Sequence, residues 1–315
     1  MGKDNKTFLG GLGESYFEDP TNLYEWLYGS KKGNPLDNLN TFITRNYRGM
    51  SGYYIDPGKE VELAYLSPIE KERSQSAYLN KTTQFKEEDV SYKLSKLGLR
   101  TSGIDFIKDY VNTITIGCSF TLGEGLPFEY TWSDLISKKM GWSYENLGFP
   151  GASISRLTRI LTTVLPIKRP KRLIVLFPDS GRQELVMDHD ESYLTLEYTP
   201  NYPSPDPTLA AASKDYERAL SSNIDLVDMY KNFHIIKLLA ESLDIELIVS
   251  SWSPHVYKKL KDVFQGNQIA SMFHFIVSDP SDHKARDGSH PGINPNKLFT
   301  ERLEFLINQN RINGE

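Results

Sequence analysis

From about residue 110 onward, short apolar runs rich in β-branched residues alternate with segments whose apolar residues recur at helical spacing. No other feature constrains the fold as strongly, because strands joined through helices pair in parallel and bury both faces. The strand-like runs are TITIGCSF (Thr113–Phe120), SYENLGF, KRLIVLF (Lys171–Phe177), IELIVSSW (Ile245–Trp252) and MFHFIVS (Met272–Ser278). Helices are expected at Tyr130–Met140, where Trp132, Leu135, Ile136 and Met140 share a face, and at Ser153–Leu165. Others are expected within Leu209–Leu243, between the last two strands, and at Asn296–Asn308. The architecture implied is α/β: a doubly wound three-layer sandwich around a mainly parallel five-stranded sheet. Right-handed crossovers bring the C-terminal ends of all strands to one edge, where ligands bind in sheets of this kind.

Residues 1–110 follow a different pattern. They abound in Tyr, Asn, Gly and Pro and carry charged stretches such as SPIEKERSQS. One strand pattern stands out, VELAYL (Val61–Leu66), and a helix is expected around Glu87–Leu97. The aromatics Tyr16, Phe17, Tyr24, Trp26, Tyr53 and Tyr54 offer area to bury. This part is read as an irregular N-terminal extension, an arm packing on its own α/β domain (111–315) or on a neighbouring subunit.

Composition narrows the classes of function. The only cysteine, Cys118, rules out an intrachain disulfide and a multi-cysteine metal site. A formal net charge of -5 gives little electrostatic reason to bind nucleic acid. No apolar run is long enough to span a membrane, and the start, MGKDNKTFLGG, lacks the apolar core of a signal peptide. The product is therefore expected to be made and kept in a reducing cytoplasm unless it leaves by cell lysis, and to be virion-associated if it is phage-encoded.

The residues able to do chemistry cluster just after the strands. In GCSFTLGEG, Ser119 falls on a strand-to-helix turn, where its hydroxyl is exposed near backbone N–H groups that can hold an oxyanion. Taken alone, such a serine is more often a helix N-cap. In NLGFPGAS, Gly151 lets backbone approach a ligand closely, with Asn146 or Ser153 placed to add a hydrogen bond; a Pro-Gly turn and an N-cap explain the same residues. In DGSHPG, Asp287 and His290 lie three apart, near enough for a carboxylate to orient an imidazole. His-Pro-Gly before a helix is poorly explained by packing alone.

Together these blocks, over residues 111–310, resemble the SGNH, or GDSL-type, hydrolase family, and Asp-x-x-His-Pro is the most specific element. The resemblance implies the family's flavodoxin-like sandwich, with Ser119 as nucleophile, Gly151 as an oxyanion donor, and Asp287 and His290 completing a triad. It also implies esterase or lipase-like activity, often on acetylated carbohydrates, with no metal or organic cofactor. The third block departs from the pattern. Where the family shows Gly-x-Asn-Asp, whose Asn donates to the oxyanion, this chain has Phe177-Pro178-Asp179-Ser180-Gly181-Arg182. Losing one such donor typically costs about a hundredfold or more in rate. Ser180, Arg182 or Gln183 stand nearby to substitute, and Arg182 would suit an anionic substrate.

Other features weigh less. The loop holding Asp279, Asp282 and His283 contains metal-ligand residue types, but a solvated acidic loop explains it better. Cys118 beside Ser119 suits an inward-facing role. The expectation is a serine esterase acting on an acylated small molecule or glycan. Its rival is a non-catalytic, glycan-binding component of an assembly such as a phage virion, contacting other subunits through the N-terminal arm.

Overall fold

The structure is a computed structural model that describes residues 34–48, 54–55, 59–100, 103, 105–189, 192–198, 224–263, 269–272 and 284–313. Its centre is a five-stranded sheet formed by β3 (Thr113–Gly117), β4 (Tyr144–Gly148), β5 (Arg172–Phe177), β8 (Glu246–Ser251) and β9 (Ile269–Ser271). The spatial order is β4-β3-β5-β8-β9, and every pairing is parallel. The doubly wound α/β architecture expected from the alternating pattern is therefore present.

Side-chain alternation along β5 shows how both faces are buried. Leu173, Val175 and Phe177 join one hydrophobic cluster, whereas Ile174 and Leu176 join the other. The first cluster is closed by α5 (Ile154–Lys168) and α6 (Ile224–Ser242), through Leu157, Ile160, Leu161, Phe233 and Ile236. The second is closed by α4 (Trp132–Met140) and α8 (Ile293–Asn313), through Trp132, Ile136, Phe299 and Leu303. Fully burying each such side chain is worth about 1.5–3 kcal/mol, so the two faces hold the sheet edge rigidly. Helix starts are fixed locally: Ser153 accepts from the Arg156 N–H at 3.2 Å, and Thr131 from the Asp134 N–H at 3.4 Å.

The described part of residues 1–110 packs against the same core. Leu39, Phe42 and Ile43 of α1 (Pro35–Arg48), with Leu66, Phe85, Val90, Tyr92 and Leu94, belong to the cluster that holds Ile114 and Ile116 of β3. The helix expected around Glu87–Leu97 is corrected. A 3-10 turn covers Glu87–Asp89, and β2 (Tyr92–Leu94) pairs antiparallel with β1 (Val61–Leu63). The reason is visible in the burial: Val90, Tyr92 and Leu94 are buried while Ser91 and Lys93 are exposed, a period of two rather than 3.6. Between the two strands, α2 (Pro68–Leu79) is capped by Ser67, which accepts from the Glu70 N–H at 3.0 Å.

Other boundaries move. Strand β3 stops at Gly117, and the short helix α3 (Ser119–Leu122) begins at the serine itself. Strand β9 precedes the expected Met272–Ser278, of which 273–278 lie outside the described residues. The same holds for 209–223 of the expected long helix, for Asp279, Asp282 and His283, and for Tyr16, Phe17, Tyr24, Trp26 and Tyr53. An antiparallel hairpin, β6 (Gln183–His189) with β7 (Ser192–Tyr198), was not expected. It is tied to α5 by a buried ion pair between Arg159 and Glu184. Helix α7 (Pro254–Val263) lies between the last two strands, as expected.

Candidate active site

The turn after β3 places the Ser119 side chain at the C-terminal edge of the sheet. Cys118, one position earlier, is fully buried, but Ser119 is itself only 5% exposed, so both side chains are enclosed rather than divided into one inward and one outward. The approach of α3 to β4 depends on Gly148: a Cβ there would sit 2.2 Å from the Leu122 backbone nitrogen. Only glycine admits that contact.

The loop before α8 delivers the other two residues. The His290 ring Nε2 lies 2.8 Å from Ser119 Oγ, and its Nδ1 lies 2.7 Å from Asp287 Oδ2. With the ring proton on Nδ1, that nitrogen donates to Asp287, and Nε2 is left to accept from the Ser119 hydroxyl. Asp287 is held in turn by the N–H groups of Ser289 (3.2 Å) and His290 (3.1 Å) and by the Ser289 hydroxyl. The structure thus brings Ser119, His290 and Asp287 into one hydrogen-bonded line.

Burial shapes the electrostatics of this line. It opposes a charged Asp287, but the neighbouring imidazolium and the hydrogen bonds from His290 and Ser289 outweigh it, holding the carboxyl well below its usual range. Burial likewise opposes a charged His290; the Asp287 and Glu124 carboxylates overcome it and raise the imidazole to about 9. The Phe120 ring meets the imidazole edge-on, with centroids 5.3 Å apart, and stacks on Trp252 at 4.7 Å.

Of the remaining expected residues, Asn146 lies within β4, and Gly151, Ser153, Ser180 and Arg182 lie in the loops after β4 and β5. Gly151 has φ 73°, in the left-handed region that favours glycine, within a turn closed by the Ala152 N–H donating to Phe149 C=O. Asn146, considered above as a further donor, is committed to structure. Its amide donates to Thr121 C=O (2.7 Å) and Ser133 Oγ (2.9 Å), and its oxygen accepts from the Gly148 N–H. Ser153 is the N-cap of α5. In the divergent third block, Asp179 accepts from the Gly181 N–H at 3.0 Å and the Ser253 hydroxyl at 2.9 Å, which ties that loop to the start of α7. Ser180 is buried, and the Arg182 guanidinium lies 5.2 Å over the Trp252 ring. Arg182 therefore joins the aromatic strip that ends at His290.

Two features escaped the sequence. Arg286, next to Asp287, donates to Glu70 Oε1 at 2.7 Å, and both side chains are essentially inaccessible to solvent. It also donates to the carbonyls of Glu87, Val90 and Ala64. Tyr92 donates to the same Glu70 oxygen at 2.6 Å and accepts from the Gly125 N–H. The segment containing α2 and β2 is thereby fastened to the loop after Ser119 and to the loop carrying Asp287 and His290. The second feature is Glu124, whose buried carboxylate lies 4.0 Å from His290 Nε2. The GEG tripeptide just beyond Ser119 was its only signal.

No family model and no curated protein matches the chain. Among solved structures it is similar to TesA, at 12% identity, covering 62% of this chain and 97% of that one, with a TM-score of 0.41. It is similar to the psychrotrophic esterase EstA from Pseudoalteromonas sp., at 14% identity, covering 63% and 97%, with a TM-score of 0.41. It is also similar to a lipolytic protein of the G-D-S-L family from Desulfitobacterium hafniense, at 13% identity, covering 62% and 99%, with a TM-score of 0.37. Likeness at this level concerns the course of the chain alone. What the site can do follows from its own side chains.

Proposed function

We propose that this chain is a serine ester hydrolase of the SGNH type. The observation that carries the proposal is the line Ser119 Oγ–His290 Nε2 (2.8 Å) and His290 Nδ1–Asp287 Oδ2 (2.7 Å) at the edge of a parallel sheet. A hydroxyl so placed can pass its proton to Nε2 while Oγ attacks an ester carbonyl, and Asp287 stabilises the imidazolium that forms. The backbone N–H groups of Ser119 and Gly151 are assigned to the oxyanion. His290 then returns the proton to the leaving alcohol, and water, deprotonated by the same imidazole, releases the acid. Ser180 and Arg182, in the loop where the family carries Asn, are assigned to the substrate, with Arg182 suited to a negatively charged group.

An O-acetyl group on a carbohydrate is the substrate class assigned, from the family resemblance and the Phe120–Trp252 stack beside His290. The rival, a non-catalytic virion component that binds glycans, draws on the missing Asn. The complete hydrogen-bonded line favours turnover, because a surface kept only for binding has no need of it. Purified protein offered p-nitrophenyl acetate and acetylated sugars, beside Ser119→Ala, provides the test. Hydrolysis that depends on Ser119 supports the proposal. Equal rates in both proteins, or none in either, refute it.

A further inference from the structure

Glu124 stands between Gly123 and Gly125 in the loop that follows the Ser119 turn. It is 4% exposed, and its Oε2 has no hydrogen-bond partner among the described residues. That oxygen lies 4.0 Å from His290 Nε2, so carboxylates flank the imidazole on both edges, Asp287 at Nδ1 and Glu124 beside Nε2. A buried carboxylate oxygen lacking a hydrogen bond is costly, and it persists only where something compensates it.

The loop is built to hold it there. The Glu124 N–H donates to Ser119 C=O at 3.1 Å, and the Gly125 N–H to the Tyr92 hydroxyl at 2.6 Å. Arg100, itself buried, donates to the carbonyls of Leu122, Gly123 and Leu126. Gly125 C=O accepts from the Arg286 N–H at 2.8 Å. The carboxyl group is therefore presented to the imidazole from a fixed frame.

We infer that Glu124 is a positioning residue that shares the site's acid–base proton with His290. As a carboxylate it stabilises the imidazolium; as a carboxylic acid it leaves the imidazole neutral and able to accept the Ser119 proton. The inference rests on the esterase proposal for its catalytic meaning. The proton travels from Ser119 Oγ to Nε2 and on to the leaving alcohol, and Glu124 forms no bond to the substrate. The groups facing His290 are Asp287, Ser119 and Cys118; those acting on Glu124 are His290, Asp287, Glu70 and Arg73, with Tyr92 close by. Burial, with Asp287 and Glu70 adding to it, lifts Glu124 to about 7 against the opposing pull of His290 and Arg73. Glu124, Asp287 and His290 also offer ligand atoms within 4.8 Å of one another. Both ring nitrogens are already engaged, by Asp287 and Ser119, so a cation would have to displace one of them.

The test follows the His290 ring by NMR across pH in wild type and E124Q, with assignment by loss of the signal in His290→Gln. The expected result is a His290 midpoint lower in E124Q by about one pH unit or more, as removal of a charge at this distance requires. An unchanged midpoint in a variant of unchanged melting temperature overturns the inference. If E124Q does not fold, wild type alone decides: coupled groups titrate in two macroscopic steps, and the His290 resonances should record both. A single step, with no matching response at the Glu124 carboxyl carbon, overturns it. Zinc is the control, and stabilisation of wild type but not of E124Q would make the cluster a metal site instead. The NMR measurements need no turnover, so their outcome is separable from that of the ester assay. Where hydrolysis is found, the acid limb of kcat/KM should move down with the His290 midpoint in E124Q.

Discussion

Arg286→Met removes the charge that joins the front segment to the loop carrying Asp287 and His290. Glu70 is left buried without its cation, and the carbonyls of Glu87, Val90 and Ala64 lose their donor. Breaking a buried pair from one side typically costs about 3–5 kcal/mol, and the lost carbonyl contacts place the expectation near the upper end, at about 4–5 kcal/mol. Against a total stability of about 5–15 kcal/mol, that is a large share. Urea unfolding followed by tryptophan fluorescence reads it directly, since Trp132 is fully buried in the core. Adding Glu70→Leu removes the stranded charge and should recover part of the loss, but not all, because the carbonyls stay unsatisfied. A loss below about 1 kcal/mol in Arg286→Met would refute the account, because it would mean that water or a rearranged loop replaces the guanidinium at little cost.

Ser119→Ala should lower kcat by about a thousandfold or more while leaving the melting temperature nearly unchanged, as measured by stopped assays and calorimetry. Asp287→Asn should preserve the fold but impair His290 orientation, lowering kcat by a comparable factor. An imidazole raised to about 9 holds a proton at neutral pH, so kcat/KM should climb about tenfold per pH unit and level off near pH 9. A profile already flat at pH 7 would contradict this. Gly148→Ala should abolish most activity, because its Cβ would drive Leu122 and the Ser119 turn away from β4; a crystal structure of the variant would show the displacement.

The sheet and the Ser–His–Asp line were legible because their signals are local. Apolar runs of strand length mark buried strands, and Asp287 and His290 stand close enough in sequence to be recognised together. The part hidden from view is made of contacts between distant segments. Nothing near Glu70 announces Arg286, and nothing near Tyr92 announces Gly125. At Glu87–Leu97 a helix was expected although the alternation of Val90, Tyr92 and Leu94 already carried the strand period. Glu124 was visible as a residue but not as a neighbour of His290, since only the folded loop turns it toward the ring.

The single cysteine gives the protein a built-in clock. Cys118 is wholly enclosed directly beneath the serine turn, so a thiol reagent can reach it only when the end of β3 comes apart. Its rate of modification under native conditions therefore times the opening of the floor on which Ser119 stands. An ester-mimicking inhibitor bonded to Ser119 should slow that clock, and the amount of slowing would report how firmly occupancy of the site braces the strand below it.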